Sequence, residues 1–421
     1  MGISHSKVLV FSRGYHEYIS EALAKQAAEV WSFTPILGQQ PRSREDMIGQ
    51  GLPGVEKIDD FEAYKDKADL IVFPGEFDGE VCDRMWKEER RAFGSGLSAE
   101  FEIDRKLFLN TLKEVGLPSI KTYLAEGFDD AIAYFKKRGD ITLWVKTPYC
   151  RGDFDTIKFE SLNTFMSWIN VMKVNLGEGA SAKIELLIQD DFPIKGGGVE
   201  SGGDRYIVRG VRTPKGFIGY ERKDAGYIYR VTDDFPQVVD EIDKKMEPMF
   251  KEKGYSGAWS SEFRINKDGV RRFTDATCRF GSPPSQGVVA SYSTFPQDVF
   301  DVANGDMPEM KEVDSHGAII ILTSWFNQEH EICVEYPKEI EDNVKLQHTY
   351  IHDKKHYCLP NDAKDGYFGA VVATASSAEK AAKKVNEIAG QVKCVGLEYS
   401  EINIREMKET IKDGEAFGIF I

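Results

Sequence analysis

Apolar and polar positions alternate in three textures along the chain. From Lys7 to about residue 95, unalternated apolar runs at Lys7–Phe11 (KVLVF) and Asp69–Phe73 (DLIVF) flank a stretch, Glu17–Trp31, with helical spacing. Continuous apolar strands joined by helices predict a parallel sheet covered on both faces. Ligands of such sheets gather at the carboxyl ends of the strands. Those ends are the loops Arg13–Glu17 and Pro74–Asp78, so both are candidate site walls.

From Ser98 the texture changes. Ser98 or Asp104 is placed to cap a helix running to Val115, closed by Gly116 and Pro118. Leu143–Lys146 and Ile184–Gln189 read as strands, and Gly196-Gly197-Gly198 in the stretch Lys195–Gly203 reads as a turn. Strands follow at Tyr206–Val211, Phe217–Tyr220 and Gly226–Val231, with turns at Pro214–Gly216 and Lys223-Asp224, then a helix over Asp233–Lys253. Gly257–Ile265 and Arg271–Thr277 form a hairpin around Asn266–Gly269, whose Asp-Gly pair is a strong turn signal.

A third texture begins near residue 315, with strands at Ala318–Leu322, Val344–Ile351 and Tyr367–Thr374. A helix over Ser377–Ala389 follows, capped by Ser377, and Val392–Val395 and Glu401–Asn403 close the chain as strands. The fold class expected is α/β joined to α+β.

Composition narrows the function. The 421 residues allow about three domains, and 41% hydrophobic with 29% charged residues is a globular balance. A net charge of −15, from 54 Lys+Arg against 69 Asp+Glu, argues against coating nucleic acid or an anionic membrane. It leaves room for a nucleotide, which needs only a local cluster of donors. No apolar run reaches the length of a membrane span, and the N-terminus lacks a signal-peptide core. Six scattered Cys with no CxxC pair fit reduced thiols, so a cytoplasmic protein is expected.

The densest candidate chemistry is Trp259–Ser285, WSSEFRINKDGVRRFTDATCRFGSPPS. Glu262 and Asp275 lie on the two strands of the hairpin and, counted outward from its turn, fall close to opposite each other. Two carboxylates facing across adjacent strands suit Mg²⁺ or Mn²⁺. A hairpin of solvated charges with a cross-strand ion pair is the alternative. Thr277 projects on the same face with a further oxygen, and Arg279 offers a planar fork for phosphate or acyl-phosphate oxygens. Cys278, by alternation, points into the core. His348, His352 and His356 would line one face of a helix as zinc ligands, but LQHTYIHDKKHY reads as strands around an Asp-Lys-Lys turn.

The spacing from Glu262 to Asp275, then x-Thr277-x-Arg279, resembles the metal-binding core of the ATP-grasp superfamily. The continuation Arg279-Phe280-Gly281 with Pro283 and Gln286 resembles, more narrowly, phosphoribosylamine–glycine ligase. Asp104–Lys106 with Gly116–Pro118, the strand Leu143–Lys146, the strand Ile184–Gln189 and the tail Gly366–Met407 resemble that family's segments in order. The resemblance implies an N-terminal α/β domain over 1–97, an ATP-grasp domain over 98–312 with a lid near 118–190, and a small α+β domain over 313–421. It implies ATP and Mg²⁺ (or Mn²⁺) as cofactors, and Lys146 and Arg105, with Lys106 as an alternative, on the nucleotide phosphates. Gln189, Asp190 and Asp191 fall at the adenine and ribose hinge, with Glu200 as an alternative ribose acid. Gly14, Tyr15, His16, Ser282 and Arg279 fall at the substrate.

The departures are equally specific. The lid loop after Lys146 holds one glycine, Gly152, where backbone cradling of phosphate normally needs several, and Arg151 offers charge in their place. The first loop is Gly14-Tyr15-His16-Glu17, where Tyr15 would crowd a phosphate. Ser282 and Pro284 stand where the family has acids, Asp275 where it has Glu, and Thr277 where it has Asn. The expectation is therefore an ADP-forming carboxylate–amine ligase on small molecules other than those of glycinamide ribonucleotide synthesis, working as a monomer or homodimer. A kinase, an acid–thiol ligase or an inactive nucleotide-binding homologue are the alternatives.

Overall fold

The computed structural model describes residues 2–35, 44–149, 156–222, 225–360 and 364–421. The apolar run Lys7–Phe11 pairs in parallel with Glu29–Phe33 on one side and Leu70–Val72 on the other. Val55–Ile58 and Ala92–Phe93 complete a five-stranded parallel sheet. Leu9 and Ile71 pack on one face with Phe61 and Met85, and Val8 and Val10 pack on the other with Tyr18 and Leu23. Burial on both faces is what the absence of alternation requires. One expectation is corrected here. Glu17–Trp31 is not a single helix: Glu17–Ala24 is helical, and Glu29–Phe33 is a strand. Val30 and Trp31 are apolar because a neighbouring strand buries them, a long-range pairing that local spacing does not report.

A second sheet of nine antiparallel strands forms the body. Its order is Arg271–Thr277, Gly257–Ile265, Val199–Val208, Val211–Arg222, Gly226–Thr232, His316–Ser324, Tyr367–Ala375 and Val344–Leu346, with Leu397–Glu398 beside His316–Ser324. The sheet runs through residue 312 unbroken, because Gly226–Thr232 pairs directly with His316–Ser324. One face, through Tyr206, Phe217 and Ile319, shares a core with the parallel sheet and with helices Ser285–Ser291 and Phe295–Asn304. The other face buries Trp259, Phe263 and Phe273 against helices Arg105–Glu114 and Gln237–Glu252. Asp104 caps the first of these helices, accepting from the backbone N–H groups of Lys106 and Leu107.

Residues 122–190 carry a separate four-stranded sheet, ordered Thr122–Glu126, Glu185–Asp190, Leu143–Lys146 and Thr156–Phe159. Helices Phe128–Arg138 and Leu162–Ser181 back it around Phe135, Phe159 and Phe165. Lys195–Gly197 form the turn before Val199–Val208. Gly198 follows without a side chain because a Cβ there would meet the Ile265 carbonyl at 2.5 Å.

Beyond residue 315 three expectations are corrected. Val344–Ile351 is two strands, Val344–Leu346 and Thr349–His352, broken where His348 takes φ +47°. Val392–Val395 and Glu401–Asn403 are not regular strands, and Ile404–Glu415 is a helix capped by the Asn403 side chain. The turn at Lys223-Asp224 lies outside the described residues. Among those residues no helix is long and apolar enough to cross a membrane.

Candidate active site

Glu262 and Asp275 are direct partners in the hairpin register. The register shifts between Glu262 and Phe263, leaving Thr274 as the extra residue, its hydroxyl donating to the Glu262 carbonyl at 3.0 Å. A bulge of this kind re-aims a side chain. Without it Asp275 would share the face of Phe273, which is core. With it Asp275 stands opposite Glu262, and the next pair, Ser260 and Thr277, continues that face. Thr277 is buried, Glu262 is half-buried and Asp275 is exposed. Among the described residues no group of three or more His, Cys, Asp or Glu is placed to hold a metal. Mg²⁺ typically uses one or two carboxylates and completes its shell with phosphate oxygens and water. Glu262, Asp275 and the nearby hydroxyls fit Mg²⁺ or Mn²⁺ arriving with a nucleotide.

Arg279, two residues past Thr277, is held between two acids. Its Nε and Nη2 donate to Glu102 at 3.1 and 2.7 Å, and Glu76 lies 3.1 Å from Nε. Burial opposes its charge, but these carboxylates outweigh burial and raise its pKa well above the ordinary value. Burial likewise raises the Glu102 carboxyl. Neither acid carried a functional assignment from the sequence. Glu76 sits in the Pro74–Asp78 loop, a strand end that was a candidate wall, whereas Glu102 lies on the short helix Glu100–Ile103 with no local signal.

The four-stranded sheet supplies the second group. Val145 and Ile188 face its helices, so Trp144, Lys146, Leu187 and Gln189 share the opposite face, with Lys146 paired to Leu187 and Trp144 to Gln189. Arg105 Nη1 donates to the Thr147 carbonyl at 2.9 Å, which sets it just beyond Lys146. Lys106 instead pairs with Glu185 at 2.7 Å. Asp190 and Asp191 are engaged: Asp190 pairs with Arg138 at 2.8 Å, and Asp191 accepts from the Trp144 indole at 2.8 Å. Glu200 pairs with Arg264 at 2.7 Å, on the face that carries Glu262. Arg151 lies outside the described residues.

The first loop closes the other side. Gly14 takes φ +99°, and a Cβ there would lie 2.6 Å from the His348 ring. Tyr15 meets the same ring edge-on at 4.5 Å. His16 lies 3.0 Å, through Nε2, from the Phe280 carbonyl, and burial, with Arg279 nearby, lowers its pKa to about 3. Ser282 contacts Tyr367 at 2.9 Å, Gln286 at 2.8 Å and Gln347 at 2.7 Å. Gly14, Tyr15, His16, Ser282 and Arg279 therefore meet at one junction. Gln347, His348 and Tyr367 join it from the last part of the chain; of these the sequence offered only His348, and that as a zinc ligand. Cys278, beside Arg279, is fully buried.

No family model matches the sequence, and no curated protein matches it by sequence. Solved structures do match. A phosphoribosylamine–glycine ligase from Thermotoga maritima is 17% identical, with a TM-score of 0.64, over 93% of this chain and 98% of its own. The biotin carboxylase domain of a 2-oxoglutarate carboxylase from Hydrogenobacter thermophilus, solved with MgADP and bicarbonate, is 12% identical, with a TM-score of 0.67, over 94% and 92%. An L-amino acid ligase from Bacillus licheniformis is 15% identical, with a TM-score of 0.60, over 94% and 99%. All three are ATP-grasp enzymes, and at these identities what they share with the present chain is architecture: it has the ATP-grasp fold.

Proposed function

We propose that this chain is an ATP-dependent, ADP-forming ligase that joins a small-molecule carboxylate to an amine through an acyl phosphate. The observation that carries the reading is the hairpin. Its bulge puts Glu262 and Asp275 face to face, and Arg279 follows at the junction of the parallel sheet, the nine-stranded sheet and the loop of Gln347 and His348. The coverage of the solved ligases and carboxylase supports it, as does the shared face of Lys146 and Gln189 in the lid.

In this reading a carboxylate oxygen of one substrate attacks the γ-phosphorus of ATP, and ADP leaves. The amine nitrogen of the second substrate then attacks the acyl carbon, inorganic phosphate leaves, and the nitrogen releases its proton. Such chemistry needs positioning and charge neutralisation more than covalent help from the protein. Glu262 and Asp275 would hold Mg²⁺, which when bound neutralises phosphate charge. Lys146 and Arg105 would hold the nucleotide phosphates, Lys146 as a point charge on a flexible stem. Gln189 would face the adenine edge. Arg279, oriented by Glu102 and Glu76, would hold the oxygens of the transferring phosphoryl group. Its fork is pre-aimed, so little reorganisation is left for the reaction itself.

The test is a screen of carboxylates paired with amines in the presence of ATP and Mg²⁺, with ADP release coupled to product mass. An amide product and one ADP per amide support the proposal. A phosphorylated substrate or a thioester would replace it with another phosphoryl-transfer reaction. Oxygen-18 in the carboxylate should appear once in the released phosphate, and unlabelled phosphate would refute the acyl-phosphate step.

A further inference from the structure

Beside Arg279, three segments distant in sequence build a polar nest. Tyr18 comes from the first helix, Ser282, Ser285 and Gln286 from the segment after the hairpin, and Gln347, His348 and Tyr367 from the last part of the chain. Ser282 Oγ accepts from Gln286 Nε2 at 2.8 Å and from Gln347 Nε2 at 2.7 Å. Gln286 Nε2 also donates to the Tyr367 hydroxyl at 2.9 Å, and Tyr18 meets Ser285 at 2.5 Å. The two amide nitrogens are thus committed to the nest itself. Gln286 Oε1, Gln347 Oε1 and His348 Nε2 are left buried without a hydrogen-bond partner. Gln286 and Gln347 are fully buried, and His348 is 8% exposed.

A buried polar atom with no partner forfeits its hydration without replacement. Three such atoms in one nest, next to the predicted reaction centre, are poor structure but a good receptor for a ligand that completes them. What the two amide oxygens ask for is donors, and the His348 ring nitrogen takes either role according to its tautomer. Burial pushes His348 down to about 3, so its ring stays neutral. What the nest lacks is any group suited to phosphate. The His348 backbone N–H is spent on the Gly14 carbonyl, and the Gly14 backbone N–H on Ser12 Oγ at 3.2 Å. Arg13 is held by Asp78 at 2.7 Å, and Arg279, oriented by Glu102 and Glu76, is the cation already assigned to the transferring phosphoryl group. The space over Gly14 is filled by the His348 ring and walled by Tyr15.

We propose that Gln286, Gln347 and His348 bind the amine co-substrate, and that this co-substrate is a small phosphate-free amine carrying at least one further N–H or O–H donor, such as an amino-acid amide or an amino alcohol. The assignment rests on the ligase reading for the word co-substrate, but the preference for an unphosphorylated donor stands on the nest alone.

The experiment has a binding arm and a turnover arm. Glycinamide and ethanolamine are compared with phosphoethanolamine as ligands of the full chain, by calorimetry in the presence of ATP and Mg²⁺ and again without them. The first two should bind at least tenfold more tightly than the third. Gln347→Met and, separately, Gln286→Met should each remove that preference while leaving nucleotide affinity unchanged. If one variant fails to fold, the other carries the comparison. Tighter binding of phosphoethanolamine, or unchanged preference in a folded variant, overturns the proposal whatever the turnover. In the turnover arm, amide formation with an unphosphorylated amine, its KM raised at least tenfold in Gln347→Met and the KM for ATP unmoved, supports it. A missing amide product alongside the predicted binding preference refutes the ligase reading and leaves the nest assignment standing.

Discussion

Glu17 offers a quantitative handle on how the first loop is built. Its side chain opens the helix Glu17–Ala24 and is fully buried. Ser12 donates to Oε1 at 2.8 Å, and Oε2 has no partner. Burial raises the carboxyl from 4.5 to about 7, with the Ser12 bond offsetting part of it. A raised carboxyl pKa means the folded state holds its proton more tightly than the unfolded chain does. The stability this contributes is complete below about pH 4.5 and is lost as pH rises through about 7. A shift of about 2.5 units corresponds to about 3 kcal/mol in total. Glu17→Gln keeps the shape and removes the titration. Its advantage over the native chain should grow from about 1 kcal/mol near pH 5.5 to about 3 kcal/mol near pH 8.5. Urea denaturation of both proteins across that range reads the difference directly. Taking the difference cancels the other groups, among them Glu21, also raised to about 7, and His16 and His348, held neutral. A difference that stays flat with pH would refute the reasoning.

Three other perturbations separate the parts of the molecule. Phe165 stacks on Phe135 at 3.7 Å in the separate core of the four-stranded sheet, so Phe165→Ala should cost about 3–5 kcal/mol there. Hydrogen exchange should accelerate in residues 122–190 and not in the strand Lys7–Phe11. Gly14→Ala forces a Cβ into the His348 ring at φ +99° and should lower stability by about 2 kcal/mol or more, seen as a lower melting temperature. Ser377→Ala removes an oxygen that accepts from the Lys380 N–H at the start of the helix Ala378–Ala389 and should cost about 1 kcal/mol by urea denaturation.

What could be read from the sequence was local. The hairpin Gly257–Ile265 and Arg271–Thr277 was legible because both strands are bounded by an Asp-Gly turn. The caps at Asp104 and Ser377 were legible because such residues stand just before apolar periodic runs. The strand Glu29–Phe33 was not, because Val30 and Trp31 owe their burial to partners elsewhere in the chain. The helix Ile404–Glu415 carried a usable signal, Asn403 followed by Ile404, Met407 and Ile411, that the short apolar runs before it obscured. At the site, counting put Asp275 only close to opposite Glu262, and the bulge that brings the two face to face was not legible. Glu102, Gln347 and Tyr367 were invisible, because they reach Arg279 and Ser282 only through contacts across 65 to 177 residues, which no local pattern encodes.

The most direct test of the central claim is Mg²⁺-dependent ATP binding measured by calorimetry on the native chain, Glu262→Gln and Asp275→Asn. The native chain should bind ATP at least tenfold more tightly with Mg²⁺ than with a chelator, and each variant should lose most of that gain while keeping its far-ultraviolet circular dichroism. Metal-independent binding in the native chain, or a full Mg²⁺ gain in both variants, would contradict the assignment of the hairpin as the metal and nucleotide site.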